Sequence, residues 1–398
     1  MRALLFALLL FQESLEQRRD RLASRLEEIR GLKFKEKLRI REGTRREYAG
    51  TALESVRILY GGNLTVAEQF LKFLGFIPIR MRLDLAVTAG AALGVPAYCS
   101  GGEVVVLDPK TPDDLLLNKM ALGLLEQHYP EADLRKRAAT SFDSQMALSA
   151  IRSGDADVSK VLLWFSKKGA EKISDDWLDG MVRTAEKWER EESKLKSAIF
   201  PRIFVRSGDF GWRRGAVFVE TLRLKGGMAL VDKAYERPPL STEQILHPAK
   251  YLAGEAPVII DLASTEEHLR GLGFGVTYRT TLGEFGTAVL LETHLRNHDS
   301  GPPAAGWAGD TIALFEGNGI AFTVWATEWD SERDAEEFQA ALAKLSQQLL
   351  PAERARTNFV LRRRTAVAWL FNVPVSQQER LTESLWKCRK EGQGAYGE

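Results

Sequence analysis

Few residues in this chain can hold a metal or pass a proton near neutral pH. There are five histidines, His128, His247, His268, His294 and His298, and two cysteines, Cys99 and Cys388. A catalytic zinc needs three protein ligands and an open position for water. His294 and His298 stand four apart, a spacing that puts both rings on one helix face. The run reads His-Leu-Arg-Asn-His, however, with no Glu after the first histidine to serve as base. The pair therefore reads as two solvated histidines at a helix end, and His128 as a hydrogen-bonded structural residue. A denser group lies at 238–252. There Ser241 or Thr242 can cap a short helix while Glu243 or Gln244 reaches back to the cap. That block can serve as a rigid wall held by buried polar contacts. It can also present Glu243, His247 and Tyr251 to a cleft. Glu284 and Asp310 are acids in apolar, glycine-containing surroundings, and with Trp307 they complete the set of candidate cleft residues. Gly271-Leu272-Gly273-Phe274-Gly275 lacks the G-x-G-x-x-G spacing and reads as a turn. No G-x-S-x-G or Walker A pattern is present.

The run Asn118-Lys119-Met120-Ala121-Leu122-Gly123-Leu124-Leu125-Glu126-Gln127-His128-Tyr129 is the second focus. It resembles a helix of bacterial exported or membrane-associated zinc metallopeptidases, which reads HELxHALQDQHF. The tail Leu124 to Tyr129 sets the register. Upstream, Val95 to Cys99 and Val104 to Pro109 resemble the family's hairpin before that helix. Downstream, Ala147 to Ala156 resembles ALrALvEGDA. Pro238 to Leu252 matches PPtSTEQiLHPekYl, the most specific of these likenesses. Leu282-Gly283-Glu284 and Ala304 to Asp310 match two later blocks. In H-E-x-x-H the two His hold zinc and the Glu is the general base. The resemblance places Asn118, Lys119 and Leu122 at those positions, and Ser153 where the family's third ligand would be. None of the four can do that work, so the positions are vestigial and no catalytic residue is expected.

The elements that would carry these residues follow from periodicity and stop signals. Leu15, Leu22, Leu26 and Ile29 recur at helical spacing in a charged segment. Phe34 to Ile40 alternates as a strand does. Ala52 to Leu74 reads as helical, broken at Gly61-Gly62 and stopped by Gly75 and Pro78. Gly102 to Leu107 is a short apolar strand. Thr111 then caps a helix with Pro112 at its first position, running to Tyr129. Further helices are expected over Ser141 to Arg152, Asp175 to Ser197, Gly211 to Leu224 and Asp334 to Leu350. Strands are expected at Val276 to Thr281, Thr311 to Phe315, Ile320 to Thr327, Phe359 to Leu361 and Thr365 to Phe371. The class is α+β. The resemblance implies a zincin-like, mainly helical region over 14–262, with the decayed helix at 113–129. A strand-rich region over 263–386 packs against it, and 387–398 is a frayed tail.

A length of 398 residues allows one large or two to three average domains, and the composition, 44% hydrophobic and 27% charged, is that of a globular protein. With a net charge of +1 there is no compositional reason for a nucleic-acid partner, and Arg362-Arg363-Arg364 reads as a solvated patch. Ala3 to Phe11 has the length of a signal-peptide core but is too short to span a bilayer, and no A-x-A cleavage pattern follows. Residues 1–13 are thus a signal peptide or an apolar start that docks on the core. Cys99 and Cys388 are expected as two free thiols, one disulfide being the alternative.

The leading expectation is a catalytically inactive metallopeptidase homologue, exported to the periplasm or envelope. It would bind or scaffold a protein or peptide, with no metal, no cofactor and no transmembrane span. One alternative is a hydrolase with metal-independent chemistry, in which Lys119 works in the old cleft near Glu243 or Asp155. Another is a structural subunit of an envelope assembly, docked through the helix that carries Trp177 and Trp188. A cytoplasmic location is the alternative to export.

Overall fold

The computed structural model describes residues 13–92, 94–138, 140–167, 176–191, 200–295, 303–349, 357–388 and 390–392. The apolar start at Ala3 to Phe11, His298, and parts of the expected helix at 175–197 and of the C-terminal tail lie outside them. In chain order the first elements are α1 (Leu15–Arg30), β1 (Ile40–Glu42), α2 (Arg45–Leu59), α3 (Leu64–Phe73), α4 (Leu83–Ala92), β2 (Ala97–Ser100) and β3 (Glu103–Val106). Next come α5 (Asp113–His128), α6 (Glu131–Arg137), α7 (Phe142–Lys167), α8 (Asp176–Arg190) and α9 (Arg202–Glu236). Then follow α10 (Thr242–Leu246), α11 (Pro248–Leu252), β4 (Val258–Ile260), α12 (Ala263–Gly271), β5 (Gly275–Thr280), α13 (Gly283–His294), β6 (Trp307–Gly317) and β7 (Ile320–Trp329). The last are α14 (Glu332–Leu349), β8 (Phe359–Arg363), β9 (Ala366–Phe371), α15 (Gln378–Trp386) and β10 (Lys390–Gly392). The class is α+β, as expected. No described helix is long and apolar enough to cross a membrane.

Among the described residues, three sheets organise the fold. A small one has the order β1-β3-β2, with β1 parallel and β2 antiparallel to β3. The large one is antiparallel, ordered β5-β6-β7-β9-β8, and β10 pairs with β4. One apolar core joins the helical part to the large sheet, with Phe70, Ile151 and Phe218 packed in the same cluster as Trp307, Trp325 and Phe371. The strand-rich region therefore packs against the helices through a shared core, and this burial is the main force holding the two parts together.

Helices α7 and α9 pack backbone against backbone. A Cβ added to Gly154 would lie 2.1 Å from the backbone of Gly215, and one added to Gly215 would lie 2.0 Å from Ala150 O. Side chains at these positions would push the backbones apart, so small residues set the seam. Helix α9 runs well beyond the expected Gly211 to Leu224. It is broken at Gly226 and Gly227, where Gly227 takes φ 67°. The break lets the last turns place Asp232 and Tyr235 against α1. There Arg30 Nε sits 2.9 Å from Asp155 Oδ1, Arg30 Nη2 sits 2.6 Å from Asp232, and Tyr235 Oη donates to Asp155 at 3.0 Å.

Two local expectations are corrected. The strand expected at Phe34 to Ile40 forms only at Ile40–Glu42. Gln127 Oε1 accepts from Lys35 N at 2.8 Å and Glu36 N at 3.2 Å, and Glu27 accepts from Phe34 N. Side chains take the donors a ladder would have used, and the chain bends. Helix α5 begins at Asp113, with Pro112 at the cap position rather than Thr111. Thr111 Oγ1 instead donates to Asp108 O at 2.6 Å and closes the preceding turn.

Candidate functional site

Helix α5 is stopped from sliding by its neighbours. Glu126 accepts from Arg152 of α7 at 2.7 Å, and His128 Nε2 lies 2.7 Å from Lys33 O. Leu116, Leu117, Met120, Ala121 and Leu124 bury the inner face against β3 and α1. Asn118, Lys119 and Leu122, three and four residues apart, share the adjoining face of α5. Lys119 Nζ donates to Asn118 Oδ1 at 2.9 Å. Its electrostatic neighbours are Asp157 and Lys160 of α7 and Cys99 of β2. Burial holds the Lys119 ammonium below the usual lysine range, and Asp157 opposes that shift. Asp157 is itself bonded to Lys160 at 2.5 Å. Leu122 packs partly against the core beneath α5. On α7, Ser153 stands one turn before Asp157, and a Cβ on Gly211 of α9 would lie 3.2 Å from its side chain.

This donor set does not suit zinc. The Asn118 carbonyl is bonded to an ammonium, Leu122 has no ligand atom, and Lys119 brings a positive charge. Neither Glu243 nor Asp155 is the acid beside Lys119. Asp155 belongs to the Arg30 and Tyr235 network, and Glu243 accepts from Lys250 at 2.7 Å. Cys99 is free and screened from solvent, and burial pushes its thiol up to about 12. Cys388 forms no disulfide with it; its Sγ donates to Ser384 O, and it is buried on the far side of the large sheet with Phe315 and Leu385.

The block at 238–252 builds a second polar centre, where α7, α10, α13 and β6 meet. Ser241 caps α10, accepting from Gln244 N at 3.3 Å. The expected return bond to the cap is absent among the described residues. Gln244 Oε1 accepts from Leu240 N and its amide donates to Glu255 O, while Glu243 turns to Lys250. Thr242 N and Oγ1 donate to Asp143 at the start of α7, at 2.9 and 2.5 Å. Asp310 of β6 accepts four bonds, from Leu282 N, Gly283 N, Trp307 Nε1 and Trp325 Nε1, all at 2.9 to 3.0 Å. Burial pushes Asp143 up to about 7 and Asp310 up to about 6, the hydrogen bonds opposing it in both. Gly283 takes φ 71° here, and a Cβ would lie 1.8 Å from Asp143 Oδ1, so the turn into α13 requires glycine.

The rim of this centre is charged. His247 Nε2 lies 2.9 Å from Glu284 Oε2, and the Glu284 carboxylate holds the imidazole pKa above its ordinary value. Lys250 Nζ meets Glu243 at 2.7 Å, Glu255 at 2.7 Å and Asp330 at 2.6 Å. These three carboxylates are close enough to one another to share a cation, and the lysine ammonium is that cation. Of the candidate cleft residues, the structure gathers Glu243, His247, Glu284 and Asp310 about this junction. Trp307 is fully buried, so it supports the junction from inside rather than lining an open wall. Tyr251 Oη donates to Arg237 O, and its ring meets Phe218 edge-on. Asp143, Lys250, Glu255 and Asp330 were not singled out in the sequence. Lys250 lies inside the 238–252 block, whereas the three acids lie outside every block quoted from the sequence and only their type could have drawn attention.

Three further expectations resolve here. His294 is not solvated, since it is half-buried with Nε2 2.9 Å from Leu74 O. Trp188 of α8 is buried beneath the Arg213 guanidinium of α9, 4.5 Å from the ring centre, so it is used within the chain and is not free to dock a partner. Arg362, Arg363 and Arg364 sit at the exposed β8–β9 turn, with Arg364 at φ 56°. No curated protein and no solved structure matches the chain. Residues 272–381, which cover β5 to β9 and the first turn of α15, match a family model described as a domain of unknown function (DUF8575).

Proposed function

We propose that this chain is a metal-free relative of the zinc metallopeptidases that works outside the cytoplasm as a binding or scaffolding protein. The observation that carries the reading is the ammonium of Lys119, bonded to Asn118 where the family's helix holds metal and base. A cation placed there is incompatible with a second cation, and Leu122 and Ser153 supply nothing to offset it. The fully bonded junction around Asp310 fits a fold retained for its shape after its chemistry was lost.

The test is metal content, measured on the native protein and on the variant Asn118→His/Lys119→Glu/Leu122→His/Ser153→Glu. The native chain is expected metal-free and the variant to gain one zinc. Stoichiometric metal in the native protein would refute the reading. One observation favours a second reading, the burial that eases deprotonation of Lys119. A neutral amine there could act as base or nucleophile. On that reading Lys119 is modified by acylating reagents far faster than the exposed lysines. On the first it is protected.

A further inference from the structure

The near-neutral composition hides a strongly polar segment. Residues 33–46 contain seven cations and two acids in a chain whose net charge is +1. The structure shows how they are displayed. From Lys37 to Arg41 the side chains alternate: Leu38 is buried and Ile40 partly so, while Lys37, Arg39 and Arg41 stand exposed. Residues two apart on an extended chain lie on one side, roughly 6.7 Å from one another. Arg41 is shared between Glu47 and Glu103, and Lys37 lies 3.4 Å from Asp20. Arg39 makes no ion pair among the described residues.

This row runs into an open edge. β1 is the outermost strand of its sheet, and no described strand pairs with its other side. Its ladder to β3 uses Arg39 O, which accepts from Val104 N, and Gly43 N, which donates to Val106 O. In a parallel ladder bonding alternates, so Ile40 and Glu42 turn their N–H and C=O groups outward. Among the described residues, the Ile40 groups have no protein partner.

We propose that the outer edge of β1 is a docking surface for an extended acidic peptide. The peptide adds as a fourth strand, and its acidic side chains, one at every second position, meet Lys37, Arg39 and Arg41. Backbone bonds to an edge give affinity and the side-chain row gives selection. The same row repels a second copy of this chain, whose β1 is equally basic, so it excludes self-pairing while admitting the opposite charge. A polynucleotide could use the charges but not the outward N–H and C=O groups. The inference extends the binding role proposed above but concerns a different surface. It stands or falls independently of the metal measurement.

The experiment is fluorescence anisotropy with a labelled peptide of alternating Glu and Val, its Lys-Val counterpart as control, and the full-length protein. Two variants report separately. Lys37→Glu/Arg39→Glu reverses the row. Glu42→Pro removes one outward N–H and leaves the ladder to β3 intact, since a proline is tolerated where the N–H faces away from the sheet. The expected result is saturable binding of the acidic peptide alone, weakened at least tenfold by each variant while thermal unfolding is unchanged. Equal binding of both peptides would overturn the proposal. So would binding lost on charge reversal but untouched by Glu42→Pro, because contact would then be charge without strand addition.

Discussion

The two polar centres of this molecule differ in how fully their groups are bonded. At the junction of α10, α13 and β6, each carboxylate has its partners. Asp310 has four donors, Asp143 has Thr242, Glu284 has His247, and one lysine serves three acids. On α5, Lys119 sits half-hidden with one side-chain hydrogen bond, to its own neighbour. A buried polar group costs stability unless it is bonded. The junction is therefore a structural asset, and Lys119 is a small liability. Candidate residues chosen from the same family likeness thus fall into two physical kinds. Those at 241–310 are held by packing and hydrogen bonds, and on the function proposed above those at 118–122 had only chemistry to keep them.

Substitution can sharpen or break this contrast. The largest effect is expected for Asp310→Asn, which sets an amide NH2 against indole or backbone donors at a buried position. A loss of about 3 kcal/mol, read from urea midpoints, follows from orphaning buried donors. Little change would mean that the junction is less tightly bonded than its geometry implies. Next comes Lys250→Met, which leaves three carboxylates facing one another. Since Glu255 and Asp330 are partly exposed, about 2 kcal/mol is expected rather than the larger cost of a fully buried pair. The deficit should shrink as pH falls and the acids protonate. A deficit that grew in acid would exclude the shared-cation picture.

At the other centre the sign reverses. Lys119→Met keeps the volume and removes the charge, while Asp157 retains Lys160. A gain of about 1 kcal/mol is expected. A loss of that size would place Lys119 among the bonded groups and erase the comparison. His247→Gln gives the smallest effect, because the imidazole is well exposed. The folded pKa of His247 is raised by Glu284. Its stabilisation is thus fully present below the unfolded value near 6.5 and is lost as pH rises through the folded value. The gap in melting temperature between wild type and variant should be widest in acid and close on the alkaline side. A gap that widened with pH would contradict the pairing.

Much of the architecture was legible because its causes are local. Gly75 and Pro78 stop α3, Ser241 caps α10, and the alternation of Ile320 to Thr327 becomes β7. The sequence reading failed where a distant group decides. The chain at 34–36 has strand periodicity, but Gln127, some ninety residues on, takes its donors. Asp330 reaches Lys250 across eighty residues, and Asp143 reaches Thr242 across ninety-nine. No spacing rule links such partners, so the junction could be sensed only as scattered acids. His294 was misjudged for the same reason, since the carbonyl that holds it belongs to Leu74.

The seam between α7 and α9 bears on how relatives of this chain can be found. The approach of Gly154 to Gly215, and of Gly215 to Ala150, is set by backbone against backbone, so a bulkier residue at one position cannot be relieved by a turned side chain at the other. On the function proposed above, catalytic letters such as those at 118–122 can drift freely once their reaction is gone. The two glycines, at 154 and 215, cannot drift without moving a whole helix. A search keyed to that small-residue signature, together with the buried aspartate at 310, would recover kin that a search for histidines passes over.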